Sequence, residues 1–343
     1  MPIRVGIVGC GFGCEVQIPA LRRDGRVEVR AIAARQRSSA QAAGEKMGVP
    51  LAFEGWESLV ASEEVDAVVI ATVPSVQAKV ARAALARGKP VLAEKPLAAS
   101  LREAADMVQA AERAQLPAMI DFNFPELGAF SVARQILRRG EIGALRHVMV
   151  QWNVESRVNA GRFEHWKASR DEGGGTLFNF VSHSFYYLEW LAGRIVRLQA
   201  QLSKMPGDGR SGDAFTALSF EFEDGAAGSI AMAASSYCGL GHRIELYGDD
   251  GALILENLTS DYMRGFTLRQ ARRPGKLESI EFPSDNDHGS DSRIAPTASL
   301  DRRFIDWIAN GTAARPSFQD GLRVQTLLDF ALASDREGCR VTV

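Results

Sequence analysis

The 343-residue chain is poor in cysteine, poor in histidine and nearly without net charge. Four cysteines in a chain of this size do not make a disulfide framework. Cys10 and Cys14 flank a glycine turn and read as small packing residues. Five histidines fall at no metal-ligand spacing, so no metal site is expected. Forty Lys and Arg against 42 Asp and Glu give a net charge of −2, which points away from nucleic acid or an anionic membrane surface as partner. No apolar run approaches the ~20 residues of a membrane span. The N-terminal apolar run is too short for a signal segment and reads as a strand. Internal repeats and low-complexity tracts are absent. These absences lead to the expectation of a soluble, cytoplasmic protein whose partner is a small molecule, with length enough for two domains.

What is present starts at residue 3. Ile3-Arg4-Val5-Gly6-Ile7-Val8 reads as a strand, Gly9-Cys10-Gly11-Phe12-Gly13-Cys14 follows at once, and a helical stretch runs through Ile18 to Leu21. A strand, a glycine turn and a helix start are the context of a dinucleotide site. Gly9 permits the tight turn, Gly11 lets the backbone approach a pyrophosphate, and the helix N-terminus offers N–H groups to phosphates. Gly9, Gly11, Phe12 and Gly13 are therefore candidate cofactor residues. The third glycine of the fingerprint falls at position 14, where Cys14 is small enough for close helix–strand packing.

The end of the second strand, Val27 to Ala33, selects the cofactor. NAD sites usually carry an acid about 20 residues past the glycines to hold the ribose hydroxyl. This chain has Ala34-Arg35-Gln36-Arg37-Ser38-Ser39 instead. Arg35, Arg37 and Ser38 suit a 2′-phosphate through charge-assisted hydrogen bonds. NADP(H) is the expected cofactor, with NAD(H) as the alternative.

Strands and helices alternate to residue 122. Further strands read at Leu51 to Phe53, Val65 to Ala71, Pro90 to Ala93 and Ala118 to Phe122, with helices over Val76 to Arg87 and Leu101 to Ala114. The right-handed crossover rule makes this a doubly wound Rossmann sheet, α/β and mostly parallel. Beyond residue 140 six strands read in succession: Arg146 to Val154, Arg197 to Leu202, Ala214 to Phe222, Ser229 to Ala234, Arg243 to Tyr247 and Ala252 to Glu256. Glu223-Asp224-Gly225 is a hairpin turn between two of them. This predicts a C-terminal α+β domain with a large, mainly antiparallel open sheet. The expected division is a dinucleotide-binding domain over 1–122 and a substrate-binding and oligomerisation domain over 123–343. The open sheet face suits a homodimer or homotetramer. Ser284 to Gly289 reads as a polar loop. Two closing helices, over Leu300 to Ala309 and Asp320 to Ser334, suit packing on either domain.

Two constellations carry chemistry. Glu94-Lys95-Pro96 follows the buried strand ending at Ala93, and ligands in open α/β sheets bind beyond the carboxyl ends of such strands. Lysine carries protons when burial or a neighbouring cation lowers its pKa. The second constellation lies on a helix that follows Gly173-Gly174-Gly175 and stops near Gly193. Leu177, Phe180, Val181, Leu188 and Leu191 recur at helical spacing as a core face. Asn179, His183 and Tyr186 or Tyr187 fall on another face. Histidine is the natural proton carrier near neutral pH.

Together these segments resemble the Gfo/Idh/MocA oxidoreductase family, the relatives of glucose–fructose oxidoreductase and inositol dehydrogenase. The resemblance runs through the glycine turn, Thr72 with Pro74, Gly88-Lys89-Pro90-Val91 leading into Glu94-Lys95-Pro96, Gly140-Glu141-Ile142-Gly143, the Gly173-Gly174-Gly175 helix with His183, and Trp190-Leu191-Ala192-Gly193. It implies that Lys95 and His183 line the site of hydride transfer. It also implies that the Lys95–Pro96 bond is often cis, and that Thr72, Pro74, Glu94 and Asn123 lie along the cofactor. Two positions depart from the family pattern. Asn179 stands where many members carry Asp, and it cannot accept a proton as a base; Gln77 stands where a His often follows the Thr-Pro segment.

The resemblance implies an NAD(P)-dependent oxidoreductase acting on CH–OH groups, transferring hydride to or from a hydroxyl or keto carbon of a sugar, sugar derivative or cyclitol. Lys95, His183 and Asn179 are the expected catalytic residues. Lys95, Trp166, Asn179, His183 and Tyr186 are expected to bind substrate, and Trp152, Arg157 and Arg162 are further pocket candidates. Two other family chemistries stay open at this point: a glycosidase-like enzyme using transient redox with tightly held cofactor, and a non-catalytic dinucleotide-binding regulator.

Overall fold

The computed structural model describes residues 1–283 and 291–343. Short aliphatic runs build the first sheet: β1 (Ile3–Val8), β2 (Val27–Ala34), β3 (Leu51–Glu54), β4 (Ala67–Ile70), β5 (Val91–Ala93) and β6 (Ala118–Ile120), all parallel and in the order β3-β2-β1-β4-β5-β6. β4, β5 and β6 are buried at every residue, which is why they read as unbroken apolar runs. The helices α1 (Ile18–Leu21), α2 (Arg37–Met47), α3 (Trp56–Ala61), α4 (Pro74–Ala86) and α5 (Leu101–Ala114) return the chain between strands. α4 starts two residues earlier than its periodicity predicts because Pro74, with its fixed φ, opens the first turn. α5 starts at a capping box, with the Ser100 hydroxyl accepting the Glu103 N–H at 3.3 Å. Strand order reverses between β1 and β4, and such reversal opens a crevice at the carboxyl ends of the strands.

After α6 (Gly128–Arg138), the second sheet has nine strands: β7 (Leu145–Asn153), β8 (Ile195–Ser203), β9 (Phe215–Phe222), β10 (Ala227–Ala233), β11 (Gly241–Gly248), β12 (Gly251–Asn257), β13 (Thr267–Arg272), β14 (Glu278–Ser279) and β15 (Val341–Thr342). Their order is β14-β13-β12-β11-β7-β10-β9-β8-β15, antiparallel except where β10 runs parallel to β7. The Glu223–Gly225 hairpin is present, with Gly225 at φ 90°. α7 (Arg157–Ala160) and α8 (Ser182–Ala192) lie between β7 and β8, and α9 (Ile294–Asn310) and α10 (Phe318–Glu337) precede β15. α2, α3, α6, α7, β13, β14 and β15 add to the elements expected from sequence, although α6 is strongly amphipathic and its pattern was there to read. The Ser284 to Gly289 loop lies outside the described residues.

The chain forms two compact units. The first holds Met1–Asn123 and returns through the described part of 287–325; the second holds the described part of 124–286 and Thr326–Val343. A single division near residue 122 therefore misses the return. Its cause is apolar burial: Leu300, Phe304 and Ile305 of α9 share one core with Val5, Ile7, Ile18, Leu21 and Ile32.

Candidate active site

In the first unit, every candidate residue sits beyond the carboxyl end of a strand. Gly9 ends β1 at φ 113°, and a Cβ there would lie 2.1 Å from the Ala71 carbonyl oxygen, so only glycine fits. A Cβ on Gly11 would meet nothing within 4 Å. The turn is thus open where a pyrophosphate would approach. A Cβ on Gly13 would lie 2.9 Å from the Ile7 side chain. Gly13, not position 14, is therefore the glycine of close helix–strand packing, and Cys14 is an ordinary buried core residue. The helix begins as a π turn over Gly13–Gln17 before α1, a feature enriched at functional sites. The Cys10 thiol, with the Lys46 charge, pulls the Cys14 thiol down to about 7 against burial. Phe12 lies beneath the Arg293 guanidinium, 5.3 Å from its ring centre.

Arg35, Arg37 and Ser38 are exposed between the end of β2 and the first residues of α2. Cys10 Sγ lies 4.0 Å from the Ser39 carbonyl oxygen, so this segment borders the glycine turn.

Thr72 and Pro74 lead from β4 into α4, and Gln77 follows one turn later. Its buried Nε2 donates to the carbonyls of Glu94, Pro96 and Leu97 at 2.5, 2.9 and 2.9 Å. One side chain from α4 thereby holds the loop that presents Lys95. The Lys95–Pro96 bond is cis. The residue noted as a departure from the family pattern is thus the clamp of the candidate lysine loop.

Beside Lys95 lies an acid cluster that sequence reasoning missed. Gln17 Nε2 donates to Glu94 Oε1 at 3.0 Å and to Asp121 Oδ2 at 3.1 Å. Burial pushes both carboxyls up; the Glu94 charge pushes Asp121 further, and Lys95 opposes both shifts. Asp301 of α9 is 1% exposed, has no hydrogen-bond partner on either oxygen, and is pushed up by burial and by Glu94. Glu94, expected along the cofactor, turns its carboxylate to Gln17. Asn123 donates to Thr297 Oγ1 at 3.2 Å while its buried carbonyl oxygen lacks a protein partner, an arrangement that fits the amide of a nicotinamide. The signals were present but unread. Asp121 is a charge following a buried strand, Gln17 a polar residue in an apolar helix start, and Asp301 an acid on the apolar stripe of α9.

The second unit carries the other candidates. Gly174 and Gly175 approach backbone and side chain too closely for any Cβ: Trp166 oxygen at 2.1 Å and Asp213 Oδ1 at 2.2 Å. Asp213 Oδ2 accepts the Leu177 N–H at 2.9 Å and the Thr216 hydroxyl at 2.9 Å. Burial pushes the Asp213 carboxyl up against these bonds. Asp213, another unforeseen residue, so fixes where the helix starts. A π turn over Leu177–Val181 then precedes α8. Asn179 lies in that turn, and its amide donates to the carbonyls of Lys167 and Gly175 at 3.1 and 2.9 Å. Those donors brace the 3-10 turn Trp166–Ala168 against the helix start, and Trp166 in that turn is half-buried. His183 is 7% exposed and meets Phe124 edge-on, ring centres 5.0 Å apart. Tyr186 is 9% exposed, whereas Tyr187 is fully buried and bonded to Ser184 and His242. Trp152, a pocket candidate from sequence, is a core residue stacked on His242 at 4.1 Å. Arg157 and Arg162 are exposed. Among the described residues no group of three His, Cys, Asp or Glu is arranged to hold a metal ion, and no helix is long and apolar enough to cross a membrane.

Two family models match the chain: an oxidoreductase family with an NAD-binding Rossmann fold over residues 3–122, and a Gfo/Idh/MocA C-terminal domain over residues 130–254. An uncharacterized oxidoreductase of Synechocystis is 31% identical, covering 98% of this chain and 94% of its own. A D-xylose 1-dehydrogenase (NADP(+)) of Haloferax volcanii is 33% identical over 51% of this chain and 52% of its own. A levoglucosan dehydrogenase solved with NADH and levoglucosan superposes with a TM-score of 0.90 over 100% of both chains at 20% identity. The chain belongs to the Gfo/Idh/MocA family of nicotinamide-dependent oxidoreductases.

Proposed function

We propose that this protein transfers hydride between a nicotinamide cofactor, NADP(H) by preference, and a hydroxyl or keto carbon of a sugar, sugar derivative or cyclitol. The observation that carries the reading is the Lys95 loop. It stands at the end of β5, held by Gln77, in the same sheet whose first turn is open at Gly11. The bound nicotinamide supplies the hydride acceptor or donor. Lys95 hydrogen-bonds the reacting oxygen and takes or gives its proton. His183 and Asn179 are assigned to the substrate. With its amide hydrogens spent on backbone, Asn179 can serve there only through its carbonyl oxygen, as an acceptor from a hydroxyl.

Two features support the cofactor preference: Arg35 and Arg37 at the end of β2, and the absence of an acid there. The named cofactors of relatives fall on both sides, NADP(+) for the xylose enzyme and NADH in the levoglucosan enzyme structure. The substrate class follows the sugar dehydrogenases among the relatives. The test is a fluorescence titration with NADPH and NADH, followed by a panel of polyols and keto sugars. A Lys95→Met variant that bound cofactor normally and kept full turnover would falsify the assignment of Lys95. Turnover without net change in cofactor absorbance would replace the reading with transient redox, and dinucleotide binding with no turnover on the panel would replace it with a regulator.

A further inference from the structure

Adjacent strands deliver two acids to one place. Ala93 of β5 pairs with Ile120 of β6, and the next residue on each strand is Glu94 and Asp121. The Asp121 N–H continues the ladder to the Ala93 carbonyl at 2.9 Å, and the Glu94 N–H reaches Ile70 at 2.9 Å. Paired positions on parallel strands project to the same face. One nitrogen, Gln17 Nε2, lies 3.0 Å from a Glu94 oxygen and 3.1 Å from an Asp121 oxygen. One shared donor keeps the two carboxyl groups close together, and burial with the neighbouring Glu94 charge pushes Asp121 well up. Two ionised carboxylates so placed repel one another, and a proton shared between them removes the repulsion.

We propose that Asp121 holds that proton and donates it to Glu94, forming a proton-sharing acid pair that leaves a single negative charge next to Lys95 and so positions the lysine for proton exchange. The role in exchange rests on the oxidoreductase reading of the Lys95 site; the shared proton does not. Asp121 is 1% exposed, and its second oxygen, Oδ1, has no hydrogen-bond partner. Thr297 Oγ1 stands 3.5 Å from Oδ2 and itself receives the Asn123 amide, leaving its hydrogen to face Asp121. From α9 comes a third acid, Asp301, buried and unpartnered on both oxygens. The groups facing the pair are thus Gln17 from the helix after the glycine turn, Thr297 and Asp301 from α9, and Lys95. Among these described residues only Lys95 is a cation. Three ionised carboxylates around one ammonium would hold its proton too firmly to be exchanged with a substrate oxygen. A proton shared between two carboxyls removes that excess, as like charges in one buried site require.

The experiment uses the full-length protein. Infrared spectra of the cofactor-free protein at pH 8 should show carbonyl absorption from buried carboxylic acids, with a component that stays in Asp301→Asn and is lost in Asp121→Asn. In kinetics with the accepted nicotinamide cofactor, Asp121→Asn, which keeps a hydrogen to donate to Glu94, should retain about tenfold more kcat than Asp121→Ala, with KM for cofactor little changed between them. The kcat pH profile of Asp121→Asn should lose the ionisation that Glu94→Gln shifts. A protein without that component at pH 8, or with the component unaltered in Asp121→Asn, overturns the shared proton. Equal kcat losses in the Asn and Ala variants overturn the positioning role. A wild-type protein that shows the component and binds neither NADPH nor NADH overturns the oxidoreductase reading and leaves the shared proton standing. Melting curves of each variant separate these outcomes from loss of fold.

Discussion

Two glycines two residues apart should fail in opposite ways when each becomes alanine. At Gly9, φ is 113° and the new Cβ would sit 2.1 Å from the Ala71 carbonyl oxygen and 2.7 Å from its carbon. Ala71 cannot yield, because its N–H is bonded to Val8 at 2.8 Å between β1 and β4. Backbone strain in that region costs about 1–3 kcal/mol, and overpacking against rigid backbone adds about 1–3 kcal/mol. The sum is a large part of a typical fold's ~5–15 kcal/mol. At about 2–4 °C per kcal/mol, Gly9→Ala should lower Tm by roughly 10 °C. At Gly11 a Cβ meets nothing within 4 Å, and the residue is not among the glycines with positive φ. Gly11→Ala should therefore stay within about 0.5 kcal/mol of the parent in stability. The same methyl group would occupy the surface a pyrophosphate needs, so dinucleotide affinity should fall about tenfold or more, ~1.4 kcal/mol. Thermal melts without ligand and cofactor fluorescence titrations measure the two effects separately. A folded Gly11→Ala protein that binds as tightly as its parent would refute the placement of the pyrophosphate on this turn. An unshifted Tm for Gly9→Ala would refute the steric argument at β1.

The remaining expectations concern single side chains. Replacing Arg35 and Arg37 together by alanine should weaken NADPH binding about tenfold and NADH binding less than about twofold, because only the former offers a phosphate to charge-assisted bonds that exposure reduces to ~1 kcal/mol each; equal losses in paired titrations would show that the arginines point elsewhere. Gln77→Leu leaves three carbonyls around Lys95 without their donor, so kcat should drop more than cofactor affinity, with a stability loss of about 1–3 kcal/mol; steady-state kinetics and a melt on one sample check both. Burial and Glu94 raise the folded-state pKa of Asp301 above its unfolded value, so folding takes up a proton, and the stability this contributes is full below the unfolded pKa and lost as pH rises through the folded one. Asp301→Asn should flatten that decline by up to about 1.4 kcal/mol per pH unit, and parallel urea-unfolding slopes would contradict it. Cys14, drawn down to about 7 chiefly by the Cys10 thiol, should alkylate faster across neutral pH in the parent than in Cys10→Ser; identical pH profiles by mass spectrometry would remove the thiol contact.

Much of the first sheet was legible because β4, β5 and β6 are buried at every residue and leave unbroken apolar runs, while β2 and β3 are only partly buried. The same logic made the strand-end residues visible: Gly9 after β1, Lys95 after β5 and Asn123 after β6 are polar or glycine residues set where apolar runs stop. The second sheet was legible where one face is open and side chains alternate, as in β7, and illegible at β13 to β15, which are short, polar or edge strands. α9 was seen as a helix but not assigned, since an apolar stripe says that a helix packs and not which sheet receives it. The helix with His183 was read at a uniform period, yet Asn179 lies in a π turn that spacing alone does not reveal. Gln77 was noticed as a substitution, but its three backbone partners belong to a loop that only the fold brings to it.

The acid cluster shows where such reading stops and why. Gln17 is 77 residues from Glu94 and 104 from Asp121 in the chain, yet one nitrogen bonds both. No local pattern encodes that contact; it follows from β5 and β6 being neighbours in register and from the glycine turn delivering its helix across their ends. Taken singly, each residue has an ordinary explanation: a loop acid, a strand-end acid, a helix amide. Taken together they break the rule that buried charges are paired, because among the described residues Lys95 is the cation that acts on Glu94 and Asp121, and Asp301 feels only burial and Glu94. A fold keeps such an imbalance at the carboxyl end of its sheet only if protons neutralise it. The place where they do so is the place where the proposed reaction must move one.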